Sequence, residues 1–296
     1  MVSFLLRNRF QCKSSCRFSI TITKKRRKTR TRRNWLDLPR DIMILIFSKL
    51  DTTEILCHAQ FVCSSWLRFA QEHTLFRYIS VPDVPLNYPV DDIAKILKEA
   101  VDRSCGELVK IYLGEPWCND KLLHYIVQKS NSLKSLRLSR LGDVTKDGLI
   151  EACKRLPHLE EFEVRDCNCY WALEVIKELG ISCSQLKRMG FYFSCGPPCQ
   201  IECEEVELAI AQNLPRLQSL CLSRMWVTNK GFQAILDQCS LLDHIDFCLC
   251  LSNDIKEDLK ERSVDKFRDG QFPCMIRGIV GGRSCLSALV LIVPIG

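Results

Sequence analysis

Residues 133–138 read LKSLRL and residues 217–222 read LQSLCL, two copies of the pattern Leu-x-x-Leu-x-Leu. Related hexapeptides occur six times, at start-to-start spacings of 25, 26, 27, 31 and 25 residues. A repeat of this length is typical of units made of one short strand and one helix, which bury their apolar side only by stacking on neighbours. The six hexapeptides are Leu108/Ile111/Leu113, Leu133/Leu136/Leu138, Leu159/Phe162/Val164, Leu186/Met189/Phe191, Leu217/Leu220/Leu222 and Leu242/Ile245/Phe247.

The segments between the hexapeptides also repeat. Residues 144–149 (VTKDGL) and 227–232 (VTNKGF) occupy equivalent places, and each opens a helix that leads to a cysteine, Cys153 or Cys239. The longer fourth spacing contains Gly196-Pro197-Pro198 and an acidic stretch up to residue 207, so we predict a surface insertion there. Other cysteines fall in register with the template, namely Cys105, Cys183 and Cys239 three residues before a template leucine, and Cys167 and Cys250 at the position where such repeats take Asn or Cys.

The residues between the template positions predict a candidate substrate surface. Side chains of a strand alternate, so these residues project from the concave face of the strand layer. Their mixed charge and aromatic content suit a protein or peptide partner better than a phosphate backbone. The competing interpretation is that half or more of them are ordinary solvated surface. The predicted surface comprises Lys110, Tyr112, Arg137, Glu161, Glu163, Arg165, Arg188, Tyr192, His244 and Asp246, with Trp117 and Trp226 in the following loops.

Residues 34–80, which precede the repeats, predict a module of three short helices. A helix begins after Pro39 and carries apolar residues at three- and four-residue spacing. Asp51 and Glu54 form a capping-box-like start for a second helix, and a third contains Trp66. Three short helices make a thin core, so we expect the module to need a partner or an adjoining domain to bury its apolar surface.

The same module resembles a known family. The segments LPRDIM (38–43), IFSKL (46–50), FVCSSW (61–66) and LF (75–76) are similar in order and spacing to the F-box, and the cysteine-containing repeats resemble the class that follows an F-box in plant-like F-box/leucine-rich-repeat proteins. The resemblance implies docking on a Skp-family adaptor, which links to a cullin, a RING protein and an E2 enzyme. Some of the implied contact residues, Ile46 and Trp66 included, alternatively belong to the module's own core. The implied adaptor-binding residues are Leu38, Pro39, Ile42, Met43, Ile46, Leu50, Ile55, Val62, Cys63 and Trp66.

The sequence offers little for catalysis or for metal binding. It contains no P-loop, no G-x-S-x-G, no H-E-x-x-H and no C-x-x-C motif, and its five histidines show no recurrent pairing with Cys or Asp. Its 19 cysteines come without a secretory leader pattern, which favours reduced thiols. Cys195, Cys199 and Cys203 have the only metal-like spacing but lack the second pair that zinc usually needs. We therefore predict no catalytic residue, no metal and no cofactor.

The net charge of +7 comes from one end of the chain. Residues 1–33 carry 12 of the 42 Lys and Arg residues and no acid, which leaves the remainder with 30 basic and 35 acidic residues, a net of −5. Direct nucleic-acid binding by the folded part is therefore not expected. The run KKRRKTRTRR at 24–33 predicts nuclear entry, with nucleus and cytoplasm as the expected locations. An organelle transit peptide, or a merely solvated disordered tail, are the other interpretations of residues 1–33.

The remaining segments complete the predicted domain plan. Residues 81–103 combine a proline-containing linker with a first, capping helix over 91–101, residues 104–258 hold the repeats, and residues 259–296 form a tail of uncertain structure. No apolar run reaches the ~18–20 residues needed to span a bilayer, so we expect a soluble protein without a membrane partner. The fold class is thus predicted as α/β, a three-helix module followed by a short right-handed solenoid of about six strand-helix repeats.

These observations predict a non-enzymatic adaptor of an SCF-type ubiquitin ligase. In that hypothesis the F-box binds the Skp-family adaptor, and the repeats bind a protein substrate that is to be ubiquitinated and degraded. Two alternatives remain open. One is a small-molecule-dependent sensor of the same architecture, and the other is a nucleic-acid-associated protein that uses the basic arm.

Overall fold

The computed structural model describes residues 35, 38–81, 90–114, 118–141, 143–167, 169–193, 203–248, 250–252 and 255–267. The chain divides into two compact units, Met1–Leu38 and Pro39–Gly296. The second unit contains every helix and strand described below. Cys195 and Cys199 of the metal-like spacing, the basic arm, and Trp117 lie outside the described residues, as does the tail beyond residue 267, whereas Cys203 begins a helix.

The second unit begins with short helices. Asp51 caps the second helix, because its side chain accepts from the Glu54 backbone N–H at 2.7 Å while the Glu54 carboxylate accepts from the Asp51 N–H at 3.0 Å. This is the predicted capping box. The Phe47 ring is fully buried and meets the Trp66 ring edge-on at 5.3 Å between centroids. The α-helices are α1 (Arg40–Phe47), α2 (Thr52–Cys57) and α3 (Ser64–Phe69), with 3₁₀ turns at Ala59–Phe61 and His73–Phe76.

A seven-stranded parallel sheet follows, in which spatial order matches chain order except that a short strand is skipped. Consecutive helices pack against one another on one side of this sheet. The strands are β1 (Tyr78–Val81), β2 (Lys110–Leu113), β3 (Ser135–Ser139), β4 (Glu161–Cys167), β5 (Arg188–Phe193), β6 (Ser219–Ser223) and β8 (His244–Cys248); β7 (Trp226–Val227) pairs separately with β9 (Leu251–Ser252). The helices are α4 (Val90–Arg103), α5 (Asp120–Lys129), α6 (Lys146–Lys154), α7 (Cys169–Ser182), α8 (Cys203–Asn213), α9 (Asn229–Gln238) and α10 (Glu257–Lys266).

All 18 apolar template residues of the six hexapeptides are buried. Neighbouring strands align them in rows; Leu136, for example, pairs with Ile111 on one side and Phe162 on the other. They belong to one continuous core that also includes the buried residues of α1 and α2. The predicted fold class, α/β with N-terminal helices followed by strand-helix repeats, is confirmed.

Three predicted boundaries differ from the observed elements. Strand β1 crosses the predicted end of the helical module at residue 80 and pairs with β2, so the sheet has one strand more than the six hexapeptides. Helix α10 crosses the boundary at residue 258 and packs on α9, where Arg262 pairs with Asp237 at 2.6 Å. The prediction of a surface insertion up to residue 207 is wrong at its end, because residues 203–213 form α8 and Glu207 is fully buried.

The two matching linkers hold their repeats together through a carboxylate of the preceding helix, which is half-buried at Asp120 and fully buried at Glu207. Thr145 caps α6, and both its backbone N–H and its hydroxyl donate to Asp120 of the preceding helix, at 2.8 and 2.7 Å. Thr228 caps α9 and donates in the same way to Glu207 of α8. A side chain at Gly231 would meet the Glu207 carboxylate at 1.9 Å, so the glycine leaves room for the acid. In each linker the threonine cap and the acid of the preceding helix thus connect one helix to the next.

The cysteines predicted in register are mostly internal. The Sγ of Cys183 lies 3.4 Å from the Leu156 carbonyl oxygen, and that of Cys239 lies 3.6 Å from the Leu214 carbonyl oxygen, each in the preceding repeat. Burial raises the pKa of the Cys183 thiol to about 12 and that of Cys239 to about 11. Cys105 breaks the pattern, because it is exposed and has a positive φ of 52°. The buried thiols thus pack and donate weak hydrogen bonds.

Within the described part of the chain, no helix combines the length and the apolar character that crossing a membrane requires.

Candidate adaptor-docking and substrate surfaces

The helical module leaves a set of large apolar side chains in contact with solvent. Phe61 is 74% exposed and Val62 is 61% exposed, both at the turn between α2 and α3. Ile42 and Leu45 are exposed on α1, and Leu67 on α3. A set of exposed apolar side chains of this kind is typical of a protein interaction site. We call Ile42, Leu45, Phe61, Val62 and Leu67 the apolar surface of the module.

The structure divides the ten predicted adaptor-binding residues into three groups. Leu38, Pro39, Ile42 and Val62 are exposed, as a contact surface requires. Ile46, Leu50, Cys63 and Trp66 are half-buried, and three of them pack against the core from its edge. Met43 and Ile55 are 1% and 2% exposed, so these two belong to the module's own core and offer no surface to a partner.

Three exposed residues were missing from the predicted adaptor surface: Leu45, Phe61 and Leu67. Leu45 follows Ile42 by three residues and therefore lies on the same side of α1. That spacing was a usable signal for Leu45. Helix α1 reads RDIMILIF, however, and is apolar on nearly every side, so spacing alone does not separate its core side from its exposed side.

Arg103 joins the helical module to the first repeat. Its guanidinium, at the end of α4, donates to the Ala70 carbonyl oxygen at 2.9 Å and to the Gln60 side chain at 3.1 Å. It also lies over the Phe76 ring, 5.8 Å from the centroid. Ala70 follows α3, so Arg103 satisfies one of that helix's terminal carbonyl groups. The side chain is 16% exposed, which makes this contact part of a packed junction.

The sheet presents its other candidate surface on the side away from the helices. The strand residues that alternate with the buried template positions line this side, which we call the open face. Neighbouring strands set Lys110, Ser135, Glu161, Arg188, Ser219 and His244 in one row and Tyr112, Arg137, Glu163, Gly190, Cys221 and Asp246 in the next. Arg165 and Tyr192 pair in a third row on the same side. Ten of the twelve predicted substrate-surface residues therefore lie on the open face, as the alternation predicted.

On the open face the acidic side chains around β4 lie deeper than the basic ones. Glu161 on β4 lies between Arg137 of β3 and Arg188 of β5, and Glu163 lies between Arg137 and Arg165. The two glutamates are 9% and 16% exposed, whereas the three arginines are 38–50% exposed. The expectation of a mixed, partly acidic surface is corrected here, because the acids lie beneath and the guanidinium groups face solvent. We call these five residues the arginine ladder.

Glu161 of the ladder keeps its charge despite burial. Burial raises the pKa of Glu161, but a hydrogen bond from Ser135 and the charges of Arg188 and Arg137 lower it further, so the net shift is downward. The pKa of Arg165 is raised, because its partner Glu163 outweighs the effect of burial. Its guanidinium also lies 4.7 Å from the centroid of the Tyr192 ring. Glu161 and Arg165 are therefore both ionised at neutral pH.

The remaining predicted surface residues are less accessible. Trp226 lies on β7, outside the seven-stranded sheet, and packs against the core. Trp226 is therefore not part of the open face. Asp246, at the far end of the sheet, is half-buried, and burial raises the pKa of its carboxyl.

The part of the chain that the structure describes contains no group of three or more His, Cys, Asp or Glu side chains arranged to hold a metal ion.

Comparisons with known proteins agree with this architecture. A family model described as F-box-like matches residues 35–82. F-box protein SKIP19 of Arabidopsis thaliana is 34% identical over 244 residues, which cover 81% of this chain and 77% of that protein. Putative F-box/LRR-repeat protein 21 of the same plant is 34% identical, over 82% of each chain.

The chain spans about half of another relative. Putative F-box/LRR-repeat protein 23 of Arabidopsis thaliana is 33% identical over 83% of this chain but only 55% of its own length. Among solved structures, that of the yeast Rad7 and Elc1 complex is similar at a TM-score of 0.40 and 12% identity, covering 77% of this chain and 86% of that one. At that level the structural likeness supports no inference about this chain.

Proposed function

The chain belongs to the F-box/LRR-repeat proteins, and from that premise we propose that it is the substrate-recognition subunit of an SCF-type ubiquitin ligase. The helical module would bind a Skp-family adaptor, and through it a cullin and a RING subunit. The open face of the repeats would bind a protein substrate for ubiquitination and degradation. The chain itself would carry no catalytic step of the transfer.

The observation that carries the proposal is the apolar surface of the module. Its five residues lie within the F-box-like match, on α1, α3 and the turn that precedes α3. At roughly 25 cal/mol per Å² of apolar area removed from water, covering side chains of this size favours association by several kcal/mol. A helical partner that buries them would complete the thin core.

The repeats support the second half of the proposal. The apolar template residues of the repeats are buried in the core, which leaves the open face polar and presented on a regular parallel sheet. The junction at Arg103 connects that sheet to the module through buried contacts. A substrate held on the open face would therefore be held at a fixed position relative to the adaptor.

The proposal includes the nucleus and the cytoplasm as locations, on the basis of the basic run at 24–33. Fusing residues 1–33 to a fluorescent protein tests this: nuclear accumulation supports it, and accumulation in an organelle replaces it with the transit interpretation.

The adaptor contact is tested by capture of a purified Skp-family adaptor on the immobilised full chain. We expect the Ile42→Glu, Val62→Glu double variant to weaken capture at least tenfold, about the loss seen when a central apolar contact is removed. Ile181→Glu is the matched control, because Ile181 is 77% exposed on α7 in the repeats. Equal capture by the double variant and by the wild type would refute the proposed docking surface.

A further inference from the structure

We infer that the open face recognises an acidic peptide segment of another protein, through the arginine ladder. This rests on the proposed function, in which the open face is the substrate surface, and it assigns the chemistry of the segment bound there. Arg137, Arg165 and Arg188 lie on three adjacent strands and project above Glu161 and Glu163.

The guanidinium groups of the ladder are held in fixed orientations by their neighbours. A free arginine side chain has many rotamers, and ordering them on binding costs free energy. Here Glu161 lies within 3.6 Å of Arg137 and also pairs with Arg188, while Glu163 pairs with Arg165 and lies 3.6 Å from Arg137. Tyr192 supports Arg165 from one side. The ladder therefore presents preoriented forks, which suit the planar geometry of carboxylates.

The exposed charge of the ladder is positive. Three guanidinium groups stand over two largely buried carboxylates, and Lys110 adds an exposed cation on the neighbouring strand β2. The chain from residue 34 onward is net negative, at −5. The ladder is thus a local basic area on the net-acidic part of the chain, which favours an acidic partner segment over an extended polyanion such as nucleic acid.

The two terminal segments of this sequence do not supply the acidic side chains. Residues 1–33 carry 12 basic and no acidic residues, and residues 268–296 carry three arginines and one aspartate. Neither segment offers the carboxylates that the ladder requires, which favours an acidic segment of a different protein.

The test is fluorescence anisotropy with the full chain and no adaptor present. The probe is a fluorescein-labelled peptide of about twelve residues that repeats Glu-Ser-Ala, long enough when extended to cross the seven strands. Two matched peptides replace every Glu by Gln or by Lys. We expect the Glu peptide to bind at least about tenfold more tightly than the Gln peptide, and less tightly as NaCl rises from about 50 to about 200 mM.

Variants locate the site. Arg137→Gln with Arg165→Gln should weaken binding of the Glu peptide about tenfold, and Arg137→Lys should weaken it less, because the charge is kept and the fork is lost. Arg155→Gln is the control, since Arg155 follows α6 on the helix side and is 43% exposed in an ion pair with Glu151. A thermal unfolding curve of each variant checks that it folds.

Several outcomes would overturn the inference. These are equal affinity for the Glu and Gln peptides, preference for the Lys peptide, no binding up to about 1 mM, or an equal loss in the Arg155 control. The three peptides compare ligands on the unmodified chain, so the inference stays testable if an arginine variant fails to fold. Because no adaptor is present, failure here leaves the adaptor contact of the proposed function unaffected, and the converse also holds.

Discussion

In the strand layer all 18 apolar template residues are buried, whereas the helical module at residues 38–69 exposes six large apolar side chains. Each repeat covers the apolar side of its neighbour, and α4 and α10 pack at the two ends of the helix row. The module has three short helices and a core around Phe47 that is too small to cover both sides of α1. The repeats thus complete their own core, while the module completes part of its core on the repeats and leaves the rest exposed.

The comparison predicts the largest change in the free energy of unfolding for the loss of a core residue of the strand layer. Phe162→Ala should lower the free energy of unfolding by about 3–5 kcal/mol, because Phe162 is fully buried beside Phe191 and its loss leaves a cavity. Phe61→Ala, at a side chain of the same type in the module's apolar surface, should change it by less than about 0.5 kcal/mol. Denaturant unfolding of both variants measures the difference, and equal destabilisation would contradict the comparison.

The next effect concerns the buried carboxylate that links two repeats. Burial raises the pKa of Glu207 to about 8, against the hydrogen bonds from Thr228 that lower it. Between the ordinary carboxyl pKa near 4.5 and about 8, the folded chain therefore holds a proton that the unfolded chain has released. The free energy of unfolding should fall as pH rises through this window, by roughly 1 kcal/mol per pH unit.

Glu207→Gln removes this titration and should flatten the slope between pH 5 and 8, a result measured by chemical denaturation at several pH values. A control is Gln238→Ala, an exposed position at the end of α9, which should leave the slope unchanged. An unchanged slope in Glu207→Gln would show that Glu207 is ionised in the folded chain.

A smaller effect is expected at the junction of the two regions. Arg103→Ala leaves the Ala70 carbonyl without its donor and removes the contact with Phe76, so we expect a loss of about 2 kcal/mol in the free energy of unfolding. Arg155→Ala, an exposed arginine outside the junction, should cost less than about 0.5 kcal/mol. Equal values for the two variants would mean that the junction adds no stability beyond an ordinary surface arginine.

The repeat architecture was predictable because its spacing is strict. The template leucines, the two Thr-x-x-Gly helix starts and the Asp51 capping box all depend on short-range patterns that a sequence displays directly. Strand β1 was missed, since Tyr78–Val81 has no Leu-x-x-Leu-x-Leu motif and is stabilised by pairing with β2. That pairing is a long-range contact, which local pattern does not reveal.

The candidate surfaces were predictable in location but not in detail. Alternation assigns Glu161 and Arg137 to the same face of the sheet, but it does not show how far each side chain extends toward solvent. The shorter glutamates are covered by longer arginines from neighbouring strands, which reverses the apparent charge of the surface. In the module, Met43 and Ile55 are buried although both were predicted to contact the adaptor. For Met43 the reason is that α1 is apolar on nearly every side, so no polar side marks which face is buried.

Docking of the helical module on its adaptor is measured most directly by hydrogen–deuterium exchange of the full chain, free and bound to a Skp-family adaptor. We predict that the adaptor slows exchange in α1, α3 and the turn at Ala59–Phe61 and leaves strands β3–β6 unchanged, because the exposed apolar side chains that it would cover lie in the module. Protection centred on the strand layer, with none in the module, would contradict the account.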